Sequence, residues 1–80
     1  MKARITVTLK PGILDPQGKA IEGALKSLGM SGVASVRQGK VFDVELAGGN
    51  RKQAEVLLKQ AADRLLANTV IENYDVEVIR

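Results

Sequence analysis

The amino-terminal alternation and the segment that follows it constrain the fold of this chain most strongly. Apolar and polar residues alternate over residues 3–9, which is the period-2 pattern of a strand with one buried face. Pro11-Gly12 ends that strand, and Asp15-Pro16 has the features of a helix N-cap followed by the first helical residue. We therefore expect a strand, a tight exit and a helix, with the aspartate carboxylate accepting a hydrogen bond from the Gly18 amide.

The same connection resembles a phosphate-binding P-loop, because it places two glycines and Lys19 between a strand and a helix. A P-loop has four residues between its glycines and a Ser or Thr after its lysine. Here five residues separate Gly12 from Gly18, and Ala20 stands in place of the hydroxyl. Pro16 also lacks the backbone N–H that a phosphate cradle uses. Helix capping is therefore the favoured interpretation, and an anion site at the helix start is the alternative.

Two amphipathic helices are predicted, and each is expected to direct one apolar face inward. The first begins at Pro16, with Glu22 on its solvated side. The second begins after Asn50, whose side chain is placed to cap the Gln53 amide. The first apolar face consists of Ala20, Ile21, Ala24, Leu25 and Leu28; the second consists of Ala54, Leu57, Leu58, Ala61 and Leu65, widened by Val56, Ala62 and Leu66.

The segment from Val33 to Leu46 admits two interpretations. A hairpin turning at Gln38-Gly39 would place Arg37 opposite Lys40, which is an unfavourable like-charge pair. One continuous strand bent at the glycine keeps the apolar side chains on one face and is favoured. Such a strand would extend roughly 46 Å, more than a domain of this size can cover. The pattern therefore predicts that part of it pairs with a second copy of the chain.

The predicted order is strand, helix, long bent strand, helix and strand. The last strand places Tyr74, Val76 and Val78 on one face. This order predicts an α+β sandwich related to the ferredoxin-like folds, with an antiparallel sheet and two helices on one face. We expect residues 1–80 to form a single domain, since a chain of this length builds one small core.

The composition argues against a reaction centre. The chain has no cysteine and no histidine, so it lacks thiolate ligands, the commonest metal ligand and the usual acid–base group near neutral pH. Asp43 and Glu45 share a strand face, as do Asp75 and Glu77, but such pairs are also typical of the polar side of a half-buried strand. We therefore expect no catalytic residue, no bound cofactor and no metal ligand in this chain.

Nucleic acid and membrane are not expected as partners. The net charge of +3 comes from scattered basic residues, and the chain has one Phe and one Tyr, whereas RNA-binding sheets of related fold stack bases on several aromatic side chains. No apolar run is long enough to span a bilayer, and the amino terminus begins a strand at once. A cytoplasmic location is expected.

Two stretches resemble the signature segments of a known family. The first reads LKPGILDPQGKA and continues to ALKSLG at Gly29; the second reads LLANTVIENY from Leu65 to Tyr74. VRQGK, at residues 36–40, matches a Val-Arg-x-Gly-Lys element. By these segments the chain resembles the PurS family, the small subunits of phosphoribosylformylglycinamidine synthase. Thr69, where the family commonly has proline, is one departure.

The resemblance implies a role without catalysis in the fourth step of de novo purine synthesis. There a glutaminase subunit (PurQ) releases ammonia, an ATP- and Mg-dependent synthetase subunit (PurL) uses it, and the small subunit bridges them and assists ammonia transfer. A homodimer or homotetramer is also implied. The alternative is a stand-alone regulatory module that binds a small anion at the helix start. The expected partner contacts are Lys10, Pro11, Gly12, Asp15, Gly18, Arg37, Gly39 and Lys40.

Overall fold

The alternating residues at the amino terminus form the central strand of a three-stranded antiparallel sheet. The computed structural model describes residues 1–79. Strand β1 (Lys2–Leu9) pairs with β2 (Gly39–Glu45) on one side and with β3 (Glu72–Val78) on the other, so the order is β2-β1-β3. The predicted element order and the antiparallel sheet are confirmed.

One face of the sheet carries the core. Ile5 and Val7 of β1 are fully buried, and helix α2 (Arg51–Ala61) covers them with its buried residues Ala54 and Leu58. The predicted N-cap of α2 is confirmed, since Asn50 Oδ1 accepts the Gln53 N–H at 2.9 Å. Burial of these apolar side chains is the main force holding β1 and α2 together.

A π-helical turn at Ala62–Leu66 ends the second helix and changes which residues reach the core. The turn closes with a bond from the Ala67 N–H to the Ala62 carbonyl at 2.9 Å. Because a π-turn holds more residues than an α-turn, the residues in it are rotated relative to a continuous α-helix, and Leu66 packs against the core. Leu65 is 83% exposed and Leu57 is 54% exposed, so the prediction of both as core residues is wrong.

Strand β2 is shorter than the sequence pattern predicts. It begins at Gly39, whereas Val33–Gln38 is irregular and crosses the start of the first helix; this segment is called the strap. The strap cannot join a strand ladder because carboxylate side chains accept the N–H groups of Val36 and Gln38. The structure therefore contains neither the long continuous strand nor the hairpin.

Helix α1 (Pro16–Ser27) lies apart from the core. No residue of α1 belongs to the buried apolar cluster found within residues 1–79. Ile21 and Leu28, which were expected on a buried face, are exposed. The described chain measures 49 × 25 × 14 Å, in keeping with a helix that extends beyond the sheet. Helix α1 therefore adds no residue to the apolar core that α2 shares with the sheet.

Candidate docking site

Asp15 joins the start of α1 to the strap. Its Oδ1 accepts the Gly18 N–H at 2.9 Å, which confirms the predicted N-cap, and its Oδ2 accepts the Gln38 N–H at 2.8 Å. The residue is buried. The bond from Gln38, followed by that from Gly18, favours the ionised carboxylate and holds the pKa of Asp15 below its ordinary value.

Glu22 makes a second connection to the strap, about two helical turns beyond Asp15. Its Oε2 accepts the Val36 N–H at 2.9 Å, and its Oε1 lies 3.7 Å from Lys19 Nζ. The bond from Val36 is the main reason that the pKa of Glu22 lies below its ordinary value, and Lys19 adds to it. Glu22 is buried, so its predicted place on the solvated side is wrong, because the strap covers that side of the helix.

Two glycines allow the strap and β2 to approach their neighbours closely. A Cβ atom on Gly18 would overlap the Val36 carbonyl oxygen. A Cβ atom on Gly39 would lie 2.7 Å from the Val7 carbonyl oxygen. Both backbone approaches require a residue without a side chain. These two glycines of the predicted site are therefore structural residues of the junction between α1, the strap and β1.

Two cationic side chains complete the junction. Arg37 Nη2 donates to the carbonyl oxygens of Lys10 at 3.2 Å and Leu9 at 3.5 Å, so the strap is attached to the exit of β1. Lys40 Nζ lies 3.6 Å from Glu72 Oε2. The other oxygen of that glutamate accepts the Asn68 N–H at 2.7 Å. The start of β2 is thereby connected to the start of β3.

Most of the predicted partner contacts lie together, although they are distant in sequence. Asp15 lies between a cleft of about 290 Å³ and a groove of about 370 Å³. The cleft includes Gly39 and Lys40, whereas Gly12 and Arg37 line the groove. Pro11 is exposed in the adjoining turn and lines neither cavity. We call the surface formed by the β1 exit, the start of α1 and the strap the junction surface.

Sequence reasoning missed Glu22 and Glu72. Glu22 follows Asp15 by seven positions, a spacing that places both carboxylates on one side of a helix, and this signal could have identified it. Glu72 offers no comparable signal, because its partner Lys40 belongs to another strand. Within residues 1–79, no group of three or more Asp or Glu side chains is arranged to hold a metal ion.

The geometry does not favour the small-anion alternative. An anion at a helix N-terminus is held by free backbone N–H groups. At the start of α1 the Gly18 N–H already donates to Asp15, and so does the Gln38 N–H of the strap. The protein's own carboxylate therefore occupies the position that a phosphate would need.

Comparison with models of known protein families identifies the family to which this sequence belongs. The family model of PurS, described as phosphoribosylformylglycinamidine (FGAM) synthase, matches residues 2–80. The chain belongs to the PurS family. The resemblance carried by the strand exit, the VRQGK element and the second stretch is thereby confirmed, and PurS proteins are subunits of the FGAM synthase of purine biosynthesis.

Individual PurS proteins agree with this assignment. The PurS subunit of FGAM synthase from Synechocystis sp. is 47% identical over 75 residues, covering 94% of this chain and 75% of the relative. The solved Bacillus subtilis PurS superposes with a TM-score of 0.89 at 42% identity, covering 99% of this chain and 98% of that one. A chain of the Thermotoga maritima PurLQS structure gives 0.87 at 33% identity, covering 96% and 95%.

No helix within residues 1–79 is both long and apolar enough to cross a membrane.

Proposed function

We propose that this chain is the non-catalytic assembly subunit of an FGAM synthase, which bridges the glutaminase subunit PurQ and the synthetase subunit PurL and assists ammonia transfer. The family match over residues 2–80 carries this proposal. The similarity to a chain of PurLQS, at a TM-score of 0.87, supports an assembled form. ATP and Mg²⁺ are then used by the synthetase subunit, and the cytoplasm is the proposed location.

The junction surface is the proposed contact with a partner subunit. It draws together Lys10, at the exit of β1, with Arg37 and Lys40 of the VRQGK stretch. Hydrogen bonds donated by strap N–H groups to the carboxylates of Asp15 and Glu22 fix the strap, so its side chains are presented in one arrangement. A surface fixed before binding loses less conformational entropy when a partner docks. We propose residues 1–80 as one domain that presents this surface.

Self-association is proposed through a different surface, the apolar face of α1. Leu28 is 72% exposed, and Leu14 and Met30 near the two ends of α1 are also exposed. An amphipathic helix that covers nothing within its own chain leaves apolar area for another molecule. A homodimer or homotetramer would cover it. Sedimentation over a range of concentrations tests this, and a monomer at every concentration would contradict it.

Reconstitution with the glutaminase and synthetase subunits of the same organism tests the bridging role. We expect formation of FGAM from glutamine to require this chain, whereas its formation from added ammonia proceeds without it. The reason is that ammonia from solution needs no path between two active sites. Size-exclusion chromatography of the mixture gives the second readout, in which all three proteins elute together. Full glutamine-dependent activity without this chain would contradict the proposal.

A further inference from the structure

In two ion pairs at the junction surface the carboxylate side chain is largely buried, whereas the lysine side chain is exposed to solvent. In the Lys19–Glu22 pair the side chains are 69% and 10% exposed, and in the Lys40–Glu72 pair they are 56% and 13% exposed. The pairs on the outer face of the sheet differ, because in Lys2–Glu45 and Arg4–Asp43 both partners are more than half exposed. The solvent-exposed charge is therefore mainly positive at the junction surface and mixed on the outer face of the sheet.

Arg37 adds a third exposed cation. Its guanidinium donates to backbone carbonyl oxygens and forms no ion pair with a carboxylate in the described part of the chain. The nearby carboxylate of Asp15 is buried and engaged by two backbone N–H groups. The negative charge that would balance Arg37 is thus held beneath the surface.

The three cations lie on one continuous surface. Lys19 and Arg37 line the groove, Lys40 lines the adjoining cleft, and Asp15 lies between the two cavities. The hydrogen bonds that strap N–H groups donate to Asp15 and Glu22 hold the strap against α1, so the spacing of the cations is set by the fold. A fixed group of exposed cations projects a positive potential into solvent and steers an oppositely charged partner.

We propose that the junction surface docks a carboxylate-rich protein surface on one of the partner subunits of the synthase, through Lys19, Arg37 and Lys40. This inference rests on the proposed function and adds the chemistry of the partner. A protein surface fits better than a small anion, since the backbone donors at the start of α1 are already bonded to Asp15. Charges at the rim of an interface act mainly on the association rate and its salt dependence.

Association kinetics of the intact chain with the glutaminase and synthetase subunits test the proposal. The double variant Lys19→Gln/Lys40→Gln removes two of the cations, and Lys52→Gln/Lys59→Gln removes the same charge from the exposed side of α2. We expect the first variant to associate on the order of tenfold more slowly at low salt and to show a weaker salt dependence. The control variant should keep both properties, and Lys19→Arg/Lys40→Arg should restore them.

The possible outcomes separate this inference from the proposed function. Equal slowing by both Gln variants would show a response to net charge alone and would overturn the inference. Normal association of Lys19→Gln/Lys40→Gln, with the complex intact, would overturn it while leaving the bridging role standing. Failure of the unsubstituted chain to bind either subunit would overturn both. Thermal unfolding of each variant, monitored by circular dichroism, establishes that it is folded before its kinetics are compared.

Discussion

The sheet with α2 and the helix α1 with its strap are held together by different interactions. In the first region apolar side chains are enclosed, and Ile5 and Val7 have no exposed surface. In the second region the contacts are polar, because the carboxylates of Asp15 and Glu22 accept backbone N–H groups of the strap. Within residues 1–79 the apolar face of α1 remains uncovered.

This difference assigns separate roles to the two regions. The apolar core stabilises the fold of an isolated chain, whereas directional hydrogen bonds set the shape of the junction surface without burying much area. Because α1 and the strap are held together by hydrogen bonds, the exposed apolar residues of α1 remain available to bind another molecule. Substitutions in one region should therefore leave the other region unchanged as a reference.

The core should respond most strongly to a lost side chain. Ile5→Ala should lower the free energy of unfolding by about 2–5 kcal/mol, because it removes buried methylene groups and leaves a cavity. Val41→Ala serves as the control; Val41 is 58% exposed on the same sheet, and its change should cost less than about 1 kcal/mol. Urea unfolding measures both, and similar losses would mean that the sheet face assignment is wrong.

The close approach of α1 and the strap predicts that replacing glycine by alanine changes the free energy of unfolding in opposite directions at two positions of α1. Gly18→Ala should destabilise by about 1–3 kcal/mol, because its Cβ atom overlaps the Val36 carbonyl oxygen. Gly23→Ala lies in open space in the same helix and should stabilise by about 0.5–1 kcal/mol through helix propensity. Chemical denaturation compares the two, and stabilisation by both would show that the strap does not lie against α1.

The carboxylates of the junction should make the strap sensitive to acid. The pKa values of Asp15 and Glu22 are lowered in the fold from ordinary values of 3.8 and 4.5, so their stabilising effect is complete above those values. It is lost as the pH falls below about 4 and through the lowered pKa values. We expect hydrogen exchange of the Val36 and Gln38 amides, corrected for its intrinsic pH dependence, to lose protection in this range before the amides of β1.

An Asp15→Asn/Glu22→Gln variant sharpens this test. It keeps the side-chain shapes but removes the titration, so protection of the strap amides should be about tenfold lower near neutral pH and independent of pH below it. Asp43→Asn on the exposed sheet face is the control and should leave the strap unchanged. An acid response that persists in the double variant would assign it to other groups.

A substitution on the uncovered apolar face of α1 should change the stability of the monomer least. Leu28→Ser replaces a side chain that is 72% exposed, and in dilute solution it should change the free energy of unfolding by less than about 0.5 kcal/mol. In concentrated solution it should shift sedimentation towards the monomer. Ser27→Ala, on the same helix, should leave sedimentation as it is. A large loss of stability for Leu28→Ser in dilute solution would place this face inside the monomer.

Local signals predicted one part of the molecule well. The caps at Asp15 and Asn50 and the alternation of β1 depend on residues that are neighbours in sequence, so the pattern contains all the information required. The family segments likewise identified the eight candidate residues, most of which lie at the junction surface. Their role as partner contacts remains a prediction.

Other features depend on contacts that the local sequence does not contain. The start of β2 is decided by Glu22 and Asp15, which accept N–H groups of the strap from a separate element. The exposure of Leu65 follows from a π-helical turn, and apolar periodicity cannot show where an α-helix widens. The separation of α1 from the core could not be inferred either, because its amphipathic pattern does not reveal which molecule covers the apolar face.

The position of β1 in the middle of the sheet has a consequence for the order of folding. Its neighbours are residues 39–45 and 72–78, and Ala3 pairs with Val44 and with Val78. During translation β1 is therefore synthesised before either neighbour, and its backbone groups on the β3 side cannot pair until residues 72–78 have been made. Pairings so distant along the chain slow folding, since a large loop must close before they form. The complete native sheet can thus form only after both neighbours of β1 have been synthesised.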